Sequence, residues 1–202
     1  MGADEGGKPG VEAAVRKEAR QRRWSLAALA VVLPLAFAVE SHGSIADLAQ
    51  SSELLASEVP SGAVAPYAGA RWRLDTYKVV TGGDPLLAMP EDRALVVVRL
   101  GAEITENVDE LWQICRLSLV DGEGRRFMPL FLALPGNVER LVEPDGRSAP
   151  SCGSVALSKP KPGAQVLMEE KFLVARAALP SLAPVVSTMG ARPRYLRFRP
   201  PS

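Results

Sequence analysis

The stretch 24–39, WSLAALAVVLPLAFAV, carries no charged side chain. A helix that is apolar on every side is selected by membranes rather than by the surface of a water-soluble domain. Arg20, Arg22 and Arg23 stand directly before it, and basic residues of this kind hold their side of a span in the cytoplasm. As a helix the stretch is about 24 Å long, short of the roughly 30 Å hydrocarbon core, so the bilayer must thin or the flanks must help. Trp24 suits the interface, and Arg22 and Arg23 snorkel beside it. The expectation is one N-terminal transmembrane helix over 24–39, with a basic cytoplasmic leader over 1–23 and membrane lipid as a partner. A cleaved signal peptide is the alternative, supported by Pro34 and by the small-x-small tripeptide Ala36-Phe37-Ala38. The leader is longer than most signal-peptide n-regions, which favours retention. Either route takes the rest of the chain out of the cytoplasm: to the extracytoplasmic face of the inner, cytoplasmic membrane in the first case, to a secreted or periplasmic form in the second.

Residues 40–66 are rich in Ser and Ala and read as a stalk, with Ser44 to Ala56 offering at most one weak amphipathic helix. From Tyr67 the pattern changes. RWRLDTYKVV (71–80) alternates Trp72, Leu74 and Thr76 against Arg71, Arg73 and Asp75. RALVVVRLGAEIT (93–105) is β-branched, and LWQICRLSLV (111–120) sets Cys115, Leu117 and Leu119 against Trp112, Ile114, Arg116 and Ser118. Alternate side chains of a strand project to opposite faces, so these read as strands. Asp121-Gly122-Glu123-Gly124 closes the third with a hairpin, and Arg126 to Phe131 is its return. Ser154 to Leu157, 164–175 and 194–199 are further strands, while 174–189 holds a short helix or loop because Pro180 and Pro184 bar a long helix. The 17 Pro and 17 Gly are spread between short apolar runs. About seven strands in the region 67–202 imply an all-β sandwich, with an open barrel as the alternative.

Cys115 and Cys152 are the only cysteines, and both follow the apolar run. A disulfide between them is the simplest expectation in an oxidising compartment. They form no Cys-x-x-Cys motif, so thiol oxidoreductase chemistry is not indicated.

Little else carries chemistry. A formal charge of +1 gathers no nucleic acid. His42, the single histidine, lies in the stalk, and no Gly-x-Ser-x-Gly elbow faces it. One His and two separated Cys give no zinc spacing. Ser158-Lys159-Pro160-Lys161 has a Ser-x-x-Lys spacing that Pro160 spoils by preventing a helical turn. Asp121-Gly-Glu-Gly lacks the alternating oxygens of a calcium loop. Glu103, Glu106, Asp109, Glu110, Glu169 and Glu170 have no fixed spacing for acid/base work. No catalytic, cofactor-binding or metal residue is therefore assigned, and no cofactor is expected.

With RWRLDTYKVV, ALVVVRLGAEIT, CRLSLVDGEGRRF and EEKFLVA in this order, the chain resembles the secreted immunoglobulin-like domains of unknown function that bacteria attach to a membrane by an N-terminal segment. The likeness spans about residues 67–200. It implies an immunoglobulin-like sandwich with an interaction role and transfers no site residues. The function expected is a non-enzymatic, membrane-tethered binding or scaffold module, an accessory subunit or assembly factor with a protein partner in the cell envelope. Exposed sheet edges offer strand addition; Trp72 and Trp112 belong first to the sandwich core and, only if outward, are candidate anchors in a partner's groove. The alternative is a secreted domain acting as a carboxylate-based hydrolase or a small-ligand binder.

Overall fold

The computed structural model describes residues 21–37, 52–83, 89–131, 134, 138 and 148–201. Residues 21–37 form helix α1, exposed along its whole length, with Trp24, Leu29, Val31, Leu35 and Phe37 all open. Among the described residues no helix is long and apolar enough to cross a membrane. At about 1.5 Å per residue α1 is about 25 Å long. The span expected over 24–39 is thus described as helix only as far as Phe37; Ala38, Val39 and His42 lie outside the described residues.

The second compact unit, Ala49–Ser202, is a two-sheet β-structure. In chain order its strands are β1 (Leu55–Val59), β2 (Val64–Tyr67), β3 (Ala70–Thr81), β4 (Arg93–Ile104), β5 (Arg116–Val120), β6 (Arg126–Phe127), β7 (Gln165–Ala175), β8 (Ala183–Ser187) and β9 (Arg194–Phe198), with helix α2 (Cys152–Leu157) before β7. One sheet has the order β1-β9-β8-β5-β6 and the other β2-β3-β4-β7. β1 runs parallel to β9; every other pairing is antiparallel.

β4 explains the layering. It is buried at almost every position because both of its faces are covered, so its sequence is nearly continuously apolar rather than alternating. Ala94, Val96, Val98, Leu100, Ala102 and Ile104 point into the main core with Met168 and Phe172 of β7 and Leu117, Leu119, Val186, Leu196 and Phe198 of the opposite sheet. Leu95 and Val97 turn the other way, into a smaller cluster with Val138, Met89, Leu130 and Leu134. Arg99 shares that outer face at 3% exposure, opposite Glu169 at 5%. The Arg99 Nε and Nη2 donate to Glu169 Oε2 at 3.0 and 2.6 Å, and Lys171 Nζ lies 3.5 Å from Oε1. A pair this deep survives because each desolvated charge is hydrogen-bonded by the other.

Trp72 and Trp112 lie in the core, the place favoured for them over that of outward anchors: they are 0% and 2% exposed, with ring centroids 4.9 Å apart. Their indole N–H groups donate to Tyr67 O (2.9 Å) and Ala68 O (2.8 Å), so the two rings satisfy the carbonyls of the β2–β3 turn as they fill the sandwich. That turn holds Ala68 and Gly69 both at positive φ, 49° and 73°, the geometry that tight hairpins require. Trp112 arrives from a turn, because β5 starts only at Arg116. A register shift between Leu74 and Thr76 moves Thr76 opposite Arg99, off the inner face it was expected to share with Trp72 and Leu74.

The expected stalk contains β1 and β2, so the sandwich begins before Tyr67 and, among the described residues, has nine strands rather than about seven. Ser154–Leu157 is helix, not strand, since Ser151 caps it by accepting Ser154 N–H at 3.1 Å. The stretch read as loop or short helix holds a 3-10 helix (Arg176–Ser181) and then β8. Pro184 is tolerated there because β8 pairs with β9 only through Val185 and Val186, so its missing N–H breaks no bond on that side.

Cys115 and Cys152 are bonded, with Cα atoms 5.4 Å apart and a sequence separation of 37. Replacing both by Ala is expected to lower stability by up to about 4 kcal/mol in the chain-entropy account, checked by urea unfolding. For the buried ion pair, R99M alone should cost about 3–5 kcal/mol by stranding Glu169, whereas R99M with E169M together should recover most of that loss. A double variant as unstable as the single would refute this account of the pair.

Candidate functional site

The site is a lateral opening between the sheets. β5 and β6 pair only at Leu119–Phe127 and Val120–Arg126. Beyond Phe127 the chain leaves β5, and Leu130 N–H donates to Lys171 O of β7 at 2.7 Å, in the other sheet. Pro129 enforces this departure, as it cannot donate to a continued ladder. Arg116–Ser118 is left with β8 on one side and, among the described residues, no strand on the other.

The gap is a cleft of about 400 Å³, whose walls include Leu117, Met128, Leu130 and Phe131, with Cys115, Ser151 and Gly153 at one end and Glu170 beside them. Met128 is half exposed and Phe131 is fully exposed. The disulfide closes that end by tying the residue before β5 to the first turn of α2. Cys115 and Cys152 are themselves buried, so the bond acts as a wall rather than as an accessible redox centre.

Glu170 is the carboxyl of the cleft, which Arg116 lines as well. Burial pushes its carboxyl above the ordinary range; the Cys152 N–H bond at 3.2 Å opposes this, and the charge of Glu169 adds to it. Glu169 and Glu170 are adjacent in β7 and so face opposite sides of the sheet: Glu169 meets Arg99 on the outer face, Glu170 the cleft. They do not converge on one substrate.

The other expected sites are placed as follows. Arg22, Arg23 and Trp24 sit exposed in the first turns of α1, and Ala36 in its last. Asp121 Oδ1 accepts Glu123 and Arg125 N–H, both at 2.9 Å, and Oδ2 takes Arg125 Nε at 2.7 Å, so this carboxylate is consumed by its own hairpin. Ser158 caps α2, and Lys159 has φ 49°, a turn rather than a helical Ser-x-x-Lys face. No group of three or more potential metal ligands occurs among the described residues. The cleft wall was read from sequence as a return strand. Its signal was the unalternating run Met128-Pro129-Leu130-Phe131, which breaks period two directly after the hairpin.

A carboxyl whose folded pKa is raised favours the fold below its unfolded pKa, about 4.3, and loses that contribution as pH rises through the folded value. E170Q should therefore gain stability relative to wild type between pH 4 and pH 7, measured as ΔTm at the two pH values. A difference that shrinks with rising pH would refute the burial of this charge.

No protein-family model matches the chain, and no curated protein does. Three solved structures are similar to it: the yjhA protein from Bacillus subtilis, 10% identical, over 69% of this chain and 99% of that one, TM-score 0.44; an uncharacterized β-sandwich protein from Clostridium difficile 630, 7% identical, 73% and 95%, TM-score 0.38; and a functionally unknown protein from Listeria monocytogenes EGD-e, 10% identical, 62% and 69%, TM-score 0.36.

Proposed function

We propose that the protein is a non-enzymatic binding module, held on the outer face of the cytoplasmic membrane by its N-terminal segment, that receives an apolar segment of an envelope protein in the cleft beside β5. One observation carries the binding role: a solvent-open cleft walled by Leu117, Met128, Leu130 and Phe131, next to a stretch of β5 with, among the described residues, no strand on that side. An extended segment gains main-chain hydrogen bonds from such an edge and side-chain burial from such a wall. We read the sandwich as immunoglobulin-like. β5, β8 and β9 take the places of strands C, F and G, and β4 and β7 those of B and E. The disulfide departs from that pattern, joining the approach to β5 to α2 instead of bridging the sheets.

The tether rests on the exposed apolar side chains of α1 behind Arg22, Arg23 and Trp24. The disulfide suits an oxidising compartment. As α1 is described it is shorter than a bilayer core, and a span of this length relies on local thinning or on its flanks. A short apolar helix before small residues also fits a cleaved leader.

Intact mass and an alkaline carbonate wash decide between these. The full-length mass in the washed pellet is expected; a soluble form beginning at Val39 would overturn the tether and leave the binding role standing. For the cleft, a benzophenone photo-crosslinker at Phe131 should give one discrete adduct in membranes that M128D abolishes. Adducts unchanged by M128D, or none, would overturn the cleft as the binding site.

A further inference from the structure

A second cleft, of about 280 Å³, is lined by Ser52, Glu53, Arg116, Arg126 and Arg192. It lies on the outer face of the five-stranded sheet. Leu117 and Leu119 point into the core, so Arg116 and Ser118 point away from it, as does Ser187, the register partner of Arg116. Two of the three guanidiniums are already placed. Arg126 pairs with Glu53, donates to Ser118 Oγ at 2.9 Å and lies over the Tyr195 ring, 5.8 Å from its centroid. Arg192 Nη2 stands 3.7 Å from Glu53 Oε1. Glu53 is itself 8% exposed at its side chain and also takes the Ser187 hydroxyl. Its oxygens are thus engaged by groups of the protein.

Those contacts alone would fasten the segment before β1 to the sheet. Arg116 is surplus to that clasp: among the described residues it forms no ion pair with any carboxylate. Among the described residues, the cleft holds three guanidiniums and one carboxylate, an excess of positive charge. This matches a phosphate monoester, which carries about −1.5 to −2 at neutral pH. Guanidiniums held in fixed positions are the side chains best shaped for such oxygens.

We propose that this cleft is a phosphate-binding site for inorganic phosphate or a phosphate monoester, with Arg116 as the arm that engages the ligand and Arg126 and Arg192 as the preset positive wall. The site meets the apolar cleft at Arg116, which lines both; its ligand chemistry differs from the binding role assigned to that cleft, and it stands whether or not the N-terminal segment is retained.

The test is calorimetric titration of the full-length protein in a non-ionic detergent, with two probes: inorganic phosphate, and dihexanoyl phosphatidic acid below its micellar concentration. Saturable one-to-one binding of either is expected. Equal affinity for both identifies a free phosphate as the ligand, and a preference of tenfold or more for the lipid analogue identifies a headgroup. R116A should weaken the bound probe about tenfold or more, as loss of a charge-assisted contact does, without moving Tm. R116K, which keeps the stem and the charge but loses the planar fork, should fall between the two and decides the matter if R116A unfolds. No saturation by either probe up to about 10 mM, tenfold above a millimolar Kd, would overturn the proposal, as would R116A or R116K binding as tightly as wild type.

Discussion

Burial of β4 on both faces is the constraint on which the rest of the sandwich depends. Its inner side chains knit the four-stranded sheet to the other across the main core, and its outer ones demand a second cover that Val138, Met89, Leu130 and Leu134 supply. Leu130 is part of that cover and also donates its N–H to β7. The same requirement that hides Leu95 and Val97 therefore draws the chain off β5 and across to the other sheet. The lateral cleft is a by-product of that crossing: β5 loses its neighbour where β4 gains a roof.

The tryptophan pair and the disulfide brace the opening from within. Trp72 and Trp112 hold the β2–β3 turn by its carbonyls while stacking in the core, which anchors the turn that delivers Cys115. The disulfide then fixes α2 against the start of β5. A cleft bordered by a loop-fed strand edge would otherwise collapse to bury its apolar wall, since open apolar surface is unfavourable in water. Held from both sides, it stays open and shaped.

Polar groups divide by face in the same way. On β7, Glu169 is locked to Arg99 and Glu170 is left beside the cleft. On the five-stranded sheet, Ser118 and Ser187 are fully buried on the outer face because Arg126 and Glu53 lie over them. The outer faces of this domain are not plain solvated surfaces; each carries a small, ordered ionic cluster that closes over strand residues an ordinary sandwich would leave wet.

Some of this was legible in the residues. Period two and β-branching marked β3, β4, β5, β7 and β9, and two cysteines beyond an apolar run marked the disulfide, because local pattern and simple counting carry that information. β1, β2 and β8 were not legible: Ser- and Ala-rich β1 and Pro-containing β8 have weak intrinsic preference and become strands only when neighbours offer a ladder. Period two set Trp112 on the strand face opposite Cys115 and Leu117; it enters instead from an irregular segment, where period two says nothing. By itself the sequence determined the β character of the second part and the cysteine pair. Only the tertiary structure decided the clefts, since Leu117 and Phe131, or Glu53, Arg116 and Arg192, lie far apart along the chain and meet through strand pairings that depend on long-range packing rather than on local preference.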